Sequence, residues 1–419
     1  MKSIKQKRSK SKRLGDPEMR GLPSFLSEDM ETKVALIQSL VPLGLMAIND
    51  MLQREVAELA GNRYQRDSAC VRHGSNPGSV KLQGQRHALK VPRVRTRAGE
   101  EVTLAGWTGL KTHSPDEGLL RRVLYGLSSR DYGAAAEALP GAIGLSKSSV
   151  SRHAIEASAA RLKAFQERDL SDFELVGLFI DGKTFAEDSL VIALGVTLDG
   201  DKVPLGFVQT GTENAKTLTS FLEELKERGL QIDQGLLVII DGSKGLCRAV
   251  KNAFEGYALI QRCQWHKREN VVAYLPVSRQ VEWRRRLQRA YEQPTYRQAK
   301  AALMKLHKEL CLINTSASAS LEEGLEETLT LHRLGVFQLL GISFKTTNCI
   351  ESLNSQVEKV CGRVTHWKNS SQKQRWLAAA LLDIEPRLRK VKGYQHLPRL
   401  RMALMKELKL FAADTKQAA

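Results

Sequence analysis

"FELVGLFIDGKTF" at residues 173–185 and "GLLVIIDGSKGL" at residues 235–246 decide how the chain is read. Each is a short apolar run that closes on Asp-Gly: Asp181-Gly182 in the first, Asp241-Gly242 in the second. An uninterrupted run of this length suits a buried strand. An Asp at the carboxyl end of such a strand stands at a sheet edge, where ligands commonly bind. It projects from a rigid element, which a metal site needs. The glycine that follows lets the chain turn away and leaves the carboxylate open. One such pattern is weak, because Asp also caps and turns. Two on a common sheet form a candidate site.

The flanking sequence extends the sheet. "SLVIALGVTLDGDKVPLGFVQTG" (189–211) reads as two strands around an Asp199-Gly200 hairpin turn. A helix follows at 213–229, closed by Gly229, then the strand ending at Asp241. A helix over roughly 243–255 and the strand "YALIQRC" (257–263) complete the run. The order β-β-β-α-β-α-β predicts a mixed sheet covered by helices. Residues 267–340 hold no convincing strand and read as charged helices, with "NTSASAS" (314–320) as a loop between them. "KTTNCIESLNSQVEKVCGR" (345–363) reads as a helix capped by Thr346 or Thr347.

A pair of carboxylates needs a third. Glu351 is the best candidate, in the first turns of that helix, with Asn348, Ser352, Asn354 and Ser355 close by. Glu358 is a rival two turns on, whereas Glu187, Asp188 and Asp201 stand in turn-like contexts that suit solvated acids. Hard oxygen ligands suit Mg²⁺ or Mn²⁺. Two such ions about 3.5–4 Å apart can activate an attacking oxygen and steady a leaving oxygen in phosphodiester chemistry.

Composition points the same way. The chain has 419 residues with 64 basic and 46 acidic, a net charge of +18, so a polyanion, first of all nucleic acid, is the partner to consider. Six scattered cysteines without a CxxC suggest neither a disulfide framework nor a zinc ribbon, and fit reduced thiols in a cytoplasmic protein. No apolar run approaches the roughly 20 residues of a membrane span. "MKSIKQKRSKSKR" (1–13) has seven basic residues and no following apolar region, so it reads as a basic arm and not as a signal peptide.

Upstream of the sheet, residues 30–61 read as a helix that Pro42 breaks or kinks. Residues 63–102 are strongly cationic and punctuated by Gly, Pro, Asn and Ser, like a basic hairpin tracking a DNA backbone, with Arg93 and Arg95 as contacts. Residues 119–162 hold a helix-turn-helix pattern: a helix over 130–139, a turn with Gly141 and Gly144, and a second helix capped by Ser146. That helix would present Lys147, Ser149 and Arg152 to DNA. Plain helical packing explains the same pattern. Downstream, "QRWLAAALLDIE" (374–385) suits a helix covering the sheet, and Lys368 and Arg375 beside it suit backbone contacts. In "CQWHKREN" (263–270), Cys263 and His266 supply two ligands where structural zinc usually takes four. His266 could contact a scissile phosphate, and Trp265 could stack on an unpaired base. Alternatively, Cys263 and Trp265 are core and His266 is a strand-end hydrogen bonder.

Taken together and in order, "LFIDGK", "VIIDGSKGL", "CQWHKREN" and "TTNCIESLNS" resemble the Mutator-type bacterial insertion-sequence transposases, the group named after insertion sequence 256. The resemblance runs from "KVPRVR" (90–95) to "AAALLDIEPR" (378–387). It implies a ribonuclease-H-like catalytic domain with a DDE triad falling on Asp181, Asp241 and Glu351, and a helical insertion between the second Asp and the Glu. It also implies cleavage of double-stranded DNA at element ends, then attack of the freed 3′-hydroxyl on target DNA. The Cys-x-x-His beside the triad is a signature of the family. A catalytically inactive DNA-binding regulator on the same scaffold, or a nuclease without strand transfer, are the competing functions.

The expected architecture is therefore an α/β catalytic core with an all-α insertion, preceded by helical and helix-turn-helix DNA-binding segments. Its parts are an N-terminal helix and basic β-like segment (1–105) and a helix-turn-helix-like domain (106–170). Then come the catalytic domain (171–266 and 341–390), the insertion (267–340) and a basic C-terminal tail (391–419). Two Mg²⁺ or Mn²⁺ ions are the expected cofactors. A homodimer or larger assembly is expected because two DNA ends must be held together. The expected location is the bacterial cytoplasm, at the nucleoid when bound to DNA.

Overall fold

The computed structural model describes residues 30–62, 68–82, 85–111, 120, 123–124, 142–143, 147–185, 188–210, 214–362, 364 and 366–410, without the side chains of 30–43, 81–82, 85, 142–143, 147–149 and 185. The chain divides into two compact units, residues 1–114 with 136–146, and residues 115–135 with 147–419.

In the first unit the helix Met30–Ala60 runs on through Pro42, so that proline does not end it. The cationic segment forms an antiparallel hairpin, β1 (Cys70–Leu82) with β2 (Gln85–Thr96), extended by the short strands β3 (Glu101–Val102) and β4 (Ala142–Ile143) on β2. Leu52, Val56, Val94 and Leu104 form its core. Glu55 accepts from the amides of Ala105 (2.5 Å) and Gly106 (3.0 Å). A carboxylate there satisfies the free N–H groups that open the helix Ala105–Lys111.

The second unit is built on a five-stranded sheet. Its strands are β5 (Leu175–Phe185), β6 (Asp188–Thr197), β7 (Lys202–Thr210), β8 (Leu236–Ile240) and β9 (Ala258–Arg262), in spatial order β7-β6-β5-β8-β9. β5, β6 and β7 are antiparallel neighbours, whereas β8 and β9 run parallel to β5. The mixed sheet and the β-β-β-α-β-α-β order are those expected. The Asp199-Gly200 turn joins β6 to β7 as read, with Gly200 at φ +88° and Asp201 O accepting from Thr197 N at 2.9 Å.

Alternation along the strands feeds two cores. Leu178, Ile180, Leu236, Val238 and Ile240 face the helices Ala215–Glu227 and Lys244–Phe254. Phe179, Ile192, Leu194, Leu237 and Ile239 face the opposite side. There they pack with Phe344, Ile350, Leu353, Ala378 and Leu381 from the C-terminal helices. Residues 264–333 form a separate helical body with its own core around Trp283, Leu287, Leu303 and Leu321.

Four expectations change. Asp181 does not end its strand: β5 continues to Phe185 because the hairpin with β6 carries on after the parallel partner β8 has stopped. "NTSASAS" is helical over Thr315–Glu322, because Asn314 caps it (Oδ1 to Ala317 N, 2.9 Å) and Ala317 and Leu321 are buried. The C-terminal stretch is not simply a tail. The helix Leu397–Glu407 buries Leu397, Leu400 and Leu404, and Arg401 donates to Gly235 O (2.5 Å) and Leu175 O (2.6 Å). Residues 106–170 are divided between the units: the helix Lys147–Gln166 belongs to the second, where Ala157 and Phe165 are buried in the sheet's core. The expected helix at 130–139, its Gly141/Gly144 turn, the Ser146 cap and the basic arm lie outside the described residues.

Gly177 of β5 makes room for Phe344. A Cβ there would lie 2.8 Å from Cε1 of the Phe344 ring, which is fully buried against Phe179. Gly177→Ala should cost about 1–3 kcal/mol, the usual range for overpacking a full core. Thermal unfolding would show this as a lowered Tm, and an unchanged Tm would mean that the Phe344 ring yields freely.

Candidate active site

β5 and β8 pair in parallel through Gly177 with Leu237, Leu178 with Val238 and Phe179 with Ile239. Asp181 and Asp241 each stand two residues beyond that last pair. Asp181 thus lies within β5, and Asp241 is the first residue after β8, its parallel neighbour at about 4.8 Å. Phe179 and Ile239 both face the core of the C-terminal helices. A period of two puts Asp181 on that same face, and Asp241 follows directly on the end of β8. Gly242 then turns the chain at φ +112°, and Asp241 Oδ1 accepts from Ser243 N at 2.9 Å. No larger residue fits, because a Cβ on Gly242 would lie 2.0 Å from Arg262 Nε.

The helix Asn348–Cys361 packs over this face through Ile350, Leu353 and Val357. It carries Glu351 in its first turn and Asn354 one turn later on the same side. Asn354 Nδ2 donates to Asp181 Oδ2 at 3.1 Å, which joins the helix to β5 next to Glu351. Lys183, two residues along β5, donates to Asn354 O at 2.8 Å and pairs with Glu358 at 2.8 Å. Glu358, the rival third carboxylate, thus serves as an anchor for Lys183. Thr347 holds the helix N-cap position but makes no side-chain capping bond. Its hydroxyl donates instead to Glu351 Oε1 at 2.5 Å.

The Thr347 oxygen also lies 3.5 Å from His266 Nδ1 and 3.5 Å from Cys263 Sγ. Cys263 is fully buried, and its amide donates to Ile240 O at 2.8 Å, where β8 ends. Gln264 N donates to Lys345 O at 3.0 Å. Burial opposes the Cys263 thiolate, but hydrogen bonds from His266 and Thr347 outweigh it and hold the thiol below its ordinary value. His266 is raised in return. Its hydrogen bond to Cys263 leads, burial opposes it, and the negative charges of Cys263, Asp241 and Glu351 add to the rise. His266 therefore sits within the field of two of the three carboxylates. Trp265 is not core: it is 47% exposed, edge-on to the His266 ring at 4.9 Å.

Among the described residues, no three His, Cys, Asp or Glu side chains already form a ligand group for an ion. The carboxylates share an edge without closing on one point. One buried oxygen there has no hydrogen-bond partner, Asn354 Oδ1.

The other sequence candidates lie elsewhere. In the first unit Arg93 is held in a two-pronged bond to Glu101 (2.6 and 2.8 Å), and Arg95 Nη1 lies 3.3 Å from His73 Nε2. In the second unit Arg152 is exposed on the helix Lys147–Gln166. The side chains of Lys147 and Ser149 lie outside the described residues. Lys368 is exposed, and Arg375 donates to Ser371 Oγ at 2.6 Å. Sequence reasoning noted Asn354 without giving it a role, and missed Thr347 and Lys183 as site residues. Thr347 reads as a cap, and nothing short of the packed helix shows its hydroxyl turned to Glu351.

A fold with a mixed sheet, two acids at its parallel edge and a glutamate-bearing helix over them is compatible with a transposase core. The family model described as "Transposase, Mutator family" matches residues 28–389, and the chain belongs to that family. It is 32% identical over 198 residues to the transposase for insertion sequence element IS256 in transposon Tn4001 of Staphylococcus aureus. That match covers 46% of this chain and 48% of the relative, so the chain spans about half the relative's length. It is 29% identical over 267 residues to the transposase for IS6120 of Mycolicibacterium smegmatis (62% and 80% covered). It is 25% identical over 348 residues to that for IS905 of Lactococcus lactis (80% and 86%). No helix among the described residues is long and apolar enough to cross a membrane.

Next to His266, Lys267 is fully buried and donates to Ser320 O (2.6 Å) and Glu323 O (2.5 Å). Burial, and next the positive charge of Arg262, push its pKa from 10.5 down to about 8. The unfolded chain then binds the extra proton between those values, so this group adds stability as pH rises from 8 to 10.5 and removes it as pH falls. The Tm difference between wild type and Lys267→Met should shift in favour of wild type over that window. A flat difference would contradict the assignment.

Proposed function

We propose that this chain is a DNA transposase whose catalytic unit is of ribonuclease-H-like type, with Asp181, Asp241 and Glu351 as its triad. One observation carries the reading. Asp181 lies on β5, Asp241 directly follows the end of its parallel neighbour β8 at the same register, and Asn354 of the Glu351 helix is bonded to Asp181. The sheet order, with three antiparallel strands continued by two parallel ones, supports the fold type. The names of the relatives support the activity.

The donor set fits divalent cations. Three carboxylates and the unpartnered Asn354 Oδ1 are hard oxygens, which suit Mg²⁺ or Mn²⁺ over softer metals. Asp181, Asp241 and Glu351 would hold the ions, two in all. When bound, they would supply Lewis acidity at the scissile phosphodiester. The residues of the chain do the rest. Thr347 keeps Glu351 aimed along the helix, and Asn354 with Lys183 fixes Asp181. His266, held by Cys263, offers a ring N–H group to charge developing on the phosphate. Trp265 offers an exposed ring on which an unpaired base can stack. In cleavage, water adds to phosphorus and the 3′-oxygen leaves. In strand transfer, that 3′-hydroxyl gives up its proton and attacks a target phosphorus, and the target's own 3′-oxygen leaves and takes up a proton.

Arg95, Lys147, Ser149, Arg152, Lys368 and Arg375 remain the proposed DNA contacts, with Arg93 available only by giving up Glu101. The expected assembly is a homodimer or larger, acting in the bacterial cytoplasm and, when DNA-bound, at the nucleoid.

Asp181→Asn, Asp241→Asn and Glu351→Gln should each reduce metal-dependent cleavage of element-end DNA by at least about a hundredfold, with DNA binding kept. Retained cleavage would refute the triad. Cut ends that never join to target would indicate a nuclease, and binding without any cutting by wild type would indicate a regulator. Asn354→Ala, which removes that bond to Asp181, should raise the Mg²⁺ concentration needed for half-maximal cleavage while leaving Tm nearly unchanged; a purely structural Asn354 would lower Tm and leave the Mg²⁺ dependence as it was.

A further inference from the structure

The helical body between the second Asp and the Glu carries a feature that the triad does not use. The helix Val277–Tyr291 has five arginines and one glutamate. Its inner residues Trp283, Leu287, Ala290 and Tyr291 are buried, so the arginines crowd the outer faces. With Arg268 from the middle of the helix Gln264–Ala273, it borders a groove of about 460 Å³. The polar lining consists of Arg268, Arg284, Arg285, Gln288, Arg289 and Glu292.

Charge in this groove is unbalanced in one direction. Arg268 and Arg284 share a single carboxylate, Glu269, at 3.0 and 2.8 Å. Glu292 is engaged by Gln288 Nε2 at 2.6 Å. Arg285 and Arg289 are exposed and have no ion pair among the described residues. They stand four apart, so their guanidinium groups rise from one helix face, one turn from each other. Folding leaves them unpaired on a concave surface, at the cost of mutual repulsion. A planar fork of N–H donors without an acid is suited to phosphate oxygens, more so than an ammonium.

The groove also has a direction. Arg268 lies one turn beyond Trp265 on the same helix, which places it three residues along and on the same side. Trp265 touches His266, and His266 feels Asp241 and Glu351. The helix Gln264–Ala273 thus carries His266 at the candidate active site, the exposed Trp265 ring beside it, and Arg268 in the arginine groove.

We infer that this groove holds the sugar-phosphate backbone of the DNA strand leaving the scissile position, with Arg285 and Arg289 as its principal phosphate contacts. The inference rests on the transposase reading for the identity of the strand, and on charge and position for the groove itself. It gives the insertion a role: it fixes the strand on the far side of the cut.

The test uses the full chain and a plain DNA duplex, with affinity measured across a salt series. Each phosphate contact contributes about 0.9 to the slope of log K against log salt. Arg285→Ala with Arg289→Ala should therefore lower the slope by about 2, with an unchanged Tm since both side chains are exposed. The double lysine variant should recover most of the slope. Arg297→Ala, a control on the exposed face of the next helix, should leave it unchanged. An unchanged slope in the double alanine variant overturns the inference, and so does an equal loss with Arg297→Ala, which would mean a diffuse field. Loss of self-association with the slope intact would assign the groove to an acidic protein surface and also overturn it. Metal-dependent cleavage by wild type is scored separately. If it is absent, the transposase reading fails, whereas the salt slope still decides whether the groove binds DNA.

Discussion

The parallel pairing of β5 with β8 is the constraint on which the rest of the site depends. Its register aligns Phe179 with Ile239, and so brings Asp181 and Asp241 to the same level of the sheet. Side-chain alternation turns Asp181 to the face that the C-terminal helices cover, where Asn354 meets it. A slip of one residue in either strand would send one aspartate to the other core. Burial specifies the register on both faces at once, because β8 is buried along its whole length. Two acids can thus be held near each other by apolar packing alone, without any bond between them.

The third carboxylate reaches the sheet by a different route. Glu351 lies 110 residues after Asp241, and a helical body with its own core fills the interval. That body is joined to the sheet through buried polar contacts. Gln261 Nε2 donates to Thr328 O at 2.9 Å, and Thr330 Oγ1 donates to Ile260 O at 2.6 Å. Arg262 passes beneath Gly242 and Gly324, both at positive φ, and reaches Glu323 O at 3.1 Å. The residue after Asp241 and the far end of the insertion therefore close on one guanidinium group. Buried polar networks of this kind favour one arrangement over others when their members are satisfied. "CQWHKREN" sits at that junction: Cys263 closes the sheet, His266 faces the carboxylates, and Lys267 is bound inside the insertion.

Much of this was readable beforehand, for identifiable reasons. The five strands are apolar runs bounded by turn residues, and the helices between them carry Asn214, Ser243 and Gly229 as caps and stops. These signals are local, so the sequence shows them. "NTSASAS" was misread because Ser and Asn favour loops in isolation, whereas here Ala317 and Leu321 pack into a core that only distant helices complete. The end of β5 was misplaced because Asp-Gly signals a turn, and the strand was carried on by its hairpin partner. The residues after 391 looked like a basic tail because Arg401 reads as a surface charge. The fold buries it against two backbone carbonyls.

By itself the sequence determined the element order, the glycines that let the chain turn after Asp241 and between β6 and β7, and the candidate carboxylates, because each depends on neighbours a few residues away. Only the tertiary structure decided which groups surround those carboxylates. Thr347 bonding Glu351, Asn354 bonding Asp181, and His266 standing between Cys263 and the acids join residues 4, 173 and 3 positions apart along the chain. The shortest of these links is no more legible than the longest. A hydroxyl at a helix start caps by default, and it turns to a carboxylate only when packing has fixed both the helix and the strand end it covers.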